Sequence, residues 1–176
     1  MKTLSQQLIQ YARYHRDPRN IATHFVGIPM IVLAVCVLLS RPAAGPWASP
    51  AVAVAALTTL YYLRLDLRYG LVMGALLAAG VAFGAQAAAW GTAAWAGTGV
   101  GLFVVGWVIQ FIGHWWEGRK PAFVDDLIGL VIGPLFVAAE AGFLLGLRPE
   151  VQAAITEAAG PVRRNPHAGA PLAGGA

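Results

Sequence analysis

Charge is what this chain of 176 residues has least of. Asp, Glu, Lys and Arg make up 11% of it, hydrophobic residues 58%, and the mean hydropathy is +0.64. Soluble domains carry about 25% charged residues, so the composition excludes an ordinary soluble domain and implies a membrane protein. Cysteine is almost as scarce. Cys36 stands alone in an apolar run; a lone thiol closes no internal disulfide, and it reads as a small buried hydrophobe. No glycine-rich nucleotide-binding motif is visible. The net charge of +4 comes from basic residues that flank apolar segments rather than forming a surface stripe. That argues against a nucleic-acid partner and for anionic lipid headgroups or an anionic lipid substrate. Residues 1–20 lack the continuous apolar core of a cleaved signal, and the length calls for one domain.

What is present is a series of apolar segments. Thr3 and Gln6 form a capping-box pattern for a helix with Leu4, Leu8, Tyr11, Ala12 and His15 at helical spacing. This helix is too polar to span and is placed at the membrane surface. Asp17-Pro18 is expected to stop it, with Asn20 capping the next helix. Ile21–Ser40 is long enough to cross about 30 Å of hydrocarbon, followed by a loop from Arg41 to Pro50 and a shorter run, Ala51–Leu63. Beyond a charged turn at residues 63–68 come Tyr69–Trp90, Ala94–Ile112 and Leu127–Leu147. Gly97, Gly99, Gly101 and Gly106 predict close helix packing. The fold class is therefore all-α: a polytopic membrane helix bundle with four to five hydrophobic segments and an N-terminal interfacial helix. Residues 1–148 form the membrane-embedded domain and 149–176 a disordered tail, with His167 outside any site.

Polar residues concentrate in two places. One runs from Tyr11 to Pro29 and holds His15, Arg16, Asp17, Arg19, Asn20 and His24; the other holds Gln110, His114, Glu117, Arg119 and Lys120. With the N-terminus in the cytoplasm, most basic residues outside the tail fall on that side, as the positive-inside rule requires, and His15, His24, His114 and Glu117 share the cytoplasmic face. Five full spans place Arg148, Arg163 and Arg164 outside. A break at Gly133-Pro134, making the last segment re-entrant, returns the tail to the cytoplasm and brings Glu140 toward the site.

Three of the four histidines thus converge at one membrane face. His114 and Glu117, three apart, share a helix face, a spacing used by di-iron bundles, and Gln110 lies one turn earlier. Glu140 is an ionisable residue in an apolar segment, which marks either a functional group or an Arg-paired structural one. With no cysteine near, imidazole plus carboxylate suits Fe(II) or Zn(II). Four histidines exclude the eight-histidine di-iron site of membrane desaturases.

The run from His15 through Asn20, His24 and Gly27-Ile28-Pro29 bears on identity. So do the run from Gly106 through Gln110, His114, Glu117 and Pro121, and Pro134 to Glu140. Together they resemble the 2-hydroxy fatty acid dioxygenases, over about residues 5–149; Trp116 stands where a family member often has Phe. The resemblance implies Fe(II)-dependent α-oxidation, in which a long-chain 2-hydroxy fatty acid and O2 yield the acid one carbon shorter, CO2 and water. It implies His15, His24 and His114 as iron ligands, with Glu117 or Glu140. Arg16, Arg19, Arg119 or Lys120 would neutralise the substrate carboxylate, and Asp17, Asn20 and Gln110 would support the ligands. The partners implied are the fatty acid, O2 and the lipid bilayer. Homo-oligomerisation is left open. Composition favours a bacterial inner membrane, with the endoplasmic reticulum the site for fungal relatives. Two other readings stand beside this one: a zinc-dependent membrane lipid hydrolase, and a small transporter or interaction protein that is not an enzyme.

Overall fold

The computed structural model describes residues 2–41, 43–45 and 48–166, and among these the chain is helical with no strand. The helices are α1 (Leu4–Ala12), α2 (Pro18–Leu38), α3 (Pro50–Leu65), α4 (Leu67–Ala88), α5 (Thr92–Glu117), α6 (Gly129–Leu144) and α7 (Pro149–Ala159), with a 3-10 turn at Ala122–Val124. The all-α membrane class is as expected. Three helices, α2, α4 and α5, are long and apolar enough to cross a membrane; α3 is shorter, and α6 qualifies only together with α7, across a bend of 115°. At about 1.5 Å per residue, the 26 residues of α5 are longer than a hydrocarbon layer of about 30 Å requires.

The chain divides into two compact units, Gly27–Val108, and Met1–Val26 with Ile109–Ala176. In the first, close approach depends on missing side chains. A Cβ on Gly84 would come 2.5 Å from the Cys36 carbonyl oxygen, and one on Gly106 would come 3.0 Å from that of Gly27. α4 and α5 therefore press on the α2 backbone, as lipid-embedded helices do where packing rather than the hydrophobic effect holds them. Of the four glycines expected to do this in α5, Gly99 and Gly106 face neighbours, while Gly97 and Gly101 meet nothing within 4 Å. Asp66 breaks α3 from α4 and caps the latter, its Oδ1 accepting the Tyr69 N–H at 3.0 Å.

The second unit carries the polar residues. α1 opens with the expected capping box and buries Leu4, Gln7, Leu8, Tyr11 and Ala12 on one face. It stops at Ala12 rather than at Asp17, and His15 sits beyond it in a tight turn, its N–H on the Ala12 carbonyl at 3.0 Å. α2 starts at Pro18, whose fixed φ suits the first helical position. Asp17, not Asn20, receives the orphan Arg19 N–H at 2.9 Å.

Near the C-terminus the alternative break at Gly133-Pro134 is not realised, and one expectation fails. α6 runs unbroken through Pro134, because Ile132, Gly133, Leu135 and Phe136 are buried around it and packing overrides the proline's helix cost. The chain turns instead after Leu144. Gly146 takes a positive φ of 72°, and the Gly146 and Leu147 N–H groups close on Phe143 and Gly142 at 3.0 and 2.9 Å, the glycine-terminated helix end. The disordered tail does not begin at 149 either: Pro149–Ala159 is helical, burying Val151 and Ile155 and packing on α1. His167 and the rest of the tail lie outside the described residues.

Candidate metal centre

The turn after α1 delivers His15, the second turn of α2 delivers His24, and the last turn of α5 delivers His114. One ring nitrogen from each lies within 4.8 Å of the others. Ring centroids stand 4.4 Å apart for His15 and His24, 4.9 Å for His15 and His114, and 5.2 Å for His24 and His114. The rings are inclined to one another by 71–77°, arranged about a common point rather than stacked.

Local hydrogen bonds decide which nitrogens face that point. His15 Nδ1 lies 2.7 Å from the Tyr11 carbonyl oxygen and His24 Nδ1 2.8 Å from that of Asn20. Each carbonyl is four residues earlier, a helical spacing that fixes the tautomer as Nδ1–H and turns Nε2 inward. His15 Nε2 and His114 Nδ1 are buried with no hydrogen-bond partner among the described residues. Burial, and next the facing His24 and His114 rings, hold the His15 pKa well below its ordinary 6.5, so it is a neutral imidazole with a free lone pair at pH 7. Three buried imidazoles, two of them with an unpartnered ring nitrogen among the described residues, suit a divalent transition metal, whereas apolar packing would leave those nitrogens desolvated at a cost. Tyr11 stacks on His15, with centroids 4.1 Å apart and planes 3° apart, and Phe136 closes the same side at 5.6 Å.

Glu117 is not among the gathered groups. Its oxygens accept the Arg16 N–H at 2.9 and 3.0 Å, the Asp17 N–H at 2.8 Å and Asn20 Nδ2 at 3.0 Å. It does for the chain entering α2 what a capping residue does, from a different helix, and so ties the His15 turn to the helix that bears His114. Glu140 is not gathered either: its Oε1 lies 3.6 Å from Arg16 Nη2, which makes it the Arg-paired glutamate. In both cases the expected ligand is taken up by a nearer basic group or backbone donor.

The four expected carboxylate-binding cations are also engaged with protein. Arg16 Nε donates to the Ala12 and His15 carbonyls. Arg19 grips Asp17 through Nε and Nη2 at 3.0 and 2.8 Å and lies over Trp116. Arg119 donates to the Arg13 carbonyl and covers the Tyr14 ring, and Lys120 pairs with Asp125 at 2.6 Å. Of the expected supports, Asp17 is engaged by Arg19 and Asn165, and Asn20 reaches a histidine. Arg19 holds the Asp17 carboxyl down to about 2, and the Asn20 carbonyl orients His24. Gln110 is buried and has no hydrogen-bond partner among the described residues.

The sequence reading missed two contributors. Tyr11 appeared only as a point on an apolar face, yet it both stacks on and orients His15. The segment after α7 crosses the His15 turn: Arg163 N–H donates to the Arg16 carbonyl at 3.0 Å, and Asn165 N–H to Asp17 Oδ2 at 2.8 Å. No periodicity marks such a strap.

Three buried histidines with ring nitrogens gathered in a helical membrane protein make a candidate metal centre. Residues 1–144 match the family described as 2-hydroxy-palmitic acid dioxygenase Mpo1-like. The chain is 30% identical over 164 residues to 2-hydroxy-palmitic acid dioxygenase MPO1 of Saccharomyces cerevisiae, covering 86% of this chain and 87% of the yeast protein. No solved structure matches it. The chain belongs to the Mpo1-like family of dioxygenases.

Proposed function

We propose that the chain is an Fe(II)-dependent dioxygenase of fatty acid α-oxidation, acting on a long-chain 2-hydroxy fatty acid. The observation that carries this is the gathering of His15, His24 and His114 nitrogens within 4.8 Å of one another in a member of a dioxygenase family. The yeast relative's name supplies the substrate class. The reaction balances without a further reductant: R–CH(OH)–COOH and O2 give R–COOH, CO2 and H2O. Oxidising the hydroxyl carbon to a carboxyl while releasing CO2 removes four electrons, and O2 accepts four.

His15, His24 and His114 hold the metal. When bound, Fe(II) supplies the redox chemistry that lets O2 react with the substrate. The protein's own part is positional. Tyr11 and Asn20 carbonyls keep two imidazoles in one tautomer, Glu117 fixes the turn between them, and burial keeps water out. Tyr11 and Phe136 give the site an apolar wall. The alkyl chain lies along the spanning helices, where each CH2 removed from water is worth about 0.8 kcal/mol.

The test is anaerobic purification, metal analysis, and O2 uptake with 2-hydroxypalmitate. Iron at one equivalent per chain, and O2 consumption matched by the acid one carbon shorter, are the expected results. A zinc-loaded protein that hydrolyses lipid amides or esters without O2 would overturn the proposal.

A further inference from the structure

Gln110 lies one turn before His114 on the same face of α5. It is 3% exposed, and neither Oε1 nor Nε2 has a hydrogen-bond partner among the described residues. A primary amide desolvated with all its capacity unmet is costly, and a chain gains nothing structural from it. Helix side chains lean toward the helix N-terminus, so the His114 ring lies over the turn that carries Gln110. His114 Nδ1 is likewise buried and unpaired. Two unsatisfied polar groups thus lie one turn apart on one helix face.

The cations bear on what belongs there. Arg16, Arg19, Arg119 and Lys120 are bound to protein partners, so a carboxylate arriving at the histidines finds none of these four free. It does meet a neutral group with an acceptor and a donor side by side. That is the complement of a hydroxyl beside a carboxylate.

We propose that Gln110 reads the polar end of the substrate, with Oε1 accepting the 2-hydroxyl O–H and Nε2 donating to a carboxylate oxygen. Gln110 is then a specificity-determining residue, and the inference rests on the dioxygenase reading above. An acid without the 2-hydroxyl leaves Oε1 unpaired in a dry site, and sites built to bond a hydroxyl reject analogues that lack it for that reason.

The experiment is equilibrium binding of 2-hydroxypalmitate, 2-fluoropalmitate and palmitate to the iron-loaded protein under anaerobic conditions, with iron content measured in parallel. The wild type binds 2-hydroxypalmitate best, and 2-fluoropalmitate, whose fluorine donates no proton, no better than palmitate. Gln110→Met loses 2-hydroxypalmitate affinity by about 10- to 100-fold and palmitate affinity by less, since palmitate forfeits only the bond to its carboxylate, with iron content unchanged. Gln110→Leu repeats the measurement with a different apolar shape. Retention of the 2-hydroxyl preference in either variant, equal loss for the two acids, or 2-fluoropalmitate binding as tightly as the hydroxy acid would overturn the role. A wild type that consumes no O2 with 2-hydroxypalmitate defeats the dioxygenase reading itself. An active wild type whose preference survives the substitution defeats only the role of Gln110.

Discussion

Glu117 holds Arg16 by its backbone: both carboxylate oxygens accept the Arg16 N–H, at 2.9 and 3.0 Å, across 101 positions of chain. The same carboxylate takes the Asp17 N–H and the Asn20 amide. Glu117→Ala therefore strands three buried donors, each at about 1–3 kcal/mol. The variant's thermal midpoint in detergent should fall even in metal-free protein. That condition separates the structural role from ligation, since loss of a ligand alone leaves the metal-free midpoint where it was. An unshifted midpoint without metal would return Glu117 to the ligand set.

His114 has no structural partner at its inward nitrogen, so its value lies in what it binds. His114→Ala should abolish both iron retention and O2 consumption while the protein still accumulates in the membrane, because α5 keeps its apolar length. The change opens a cavity, and added imidazole has a place to go. Partial recovery of iron binding with imidazole is the expected signature. A variant with wild-type turnover would remove His114 from the site.

The strap after α7 predicts a stability effect at a distance in sequence. Arg163 and Asn165 donate to the Arg16 carbonyl and the Asp17 carboxylate, and Arg19 Nη2 donates to Asn165 Oδ1 at 2.6 Å. Ending the chain after Gly160 removes these bonds, at about 0.5–1.5 kcal/mol each. Iron should dissociate faster from the truncated protein on chelator challenge, with the membrane-spanning helices unaffected by circular dichroism. Equal iron release rates would show that the strap does not steady the His15 turn.

Much of the site could be read from spacing. His15 and His24 bracket the proline-initiated start of α2, and His114 lies just past the fourth spanning run, so charge asymmetry along the apolar segments pointed to one face for all three. The carboxylates and cations resisted the same logic. Glu117 has the right spacing from His114 for a ligand, but spacing does not reveal that backbone donors of a turn 100 residues away lie nearer. Arg16, Arg19, Arg119 and Lys120 look available in sequence because their partners, Glu140, Asp17, the Arg13 carbonyl and Asp125, are set by tertiary contact. α7 was hidden by alanine- and glycine-rich composition, which conceals a stripe of only Val151 and Ile155. In α6, the alternative of a break at Pro134 rested on the placement of the tail's basic residues, and burial on both sides of the proline keeps the helix whole.

Gly113 offers the strictest test of how the two histidine-bearing helices meet. A Cβ there would collide with Thr23 Oγ1 and Asn20 Oδ1, and lie 3.2 Å from the Thr23 Cβ. These are not free chain ends that can swing away. Asn20 is tied through Nδ2 to Glu117 and through its carbonyl to His24, and Thr23 Oγ1 donates to the Asn20 carbonyl at 2.7 Å. Gly113→Ala must therefore move α5 outward or break that set, at about 1–3 kcal/mol for overpacking. Because His114 is the next residue, the displacement falls on the metal site before it falls on the fold. Iron affinity should drop at least tenfold while Gly97→Ala, whose Cβ meets nothing within 4 Å, leaves it unchanged. If both alanine variants bind iron like the wild type, the close approach of α2 and α5 is not what sets the spacing of His24 and His114.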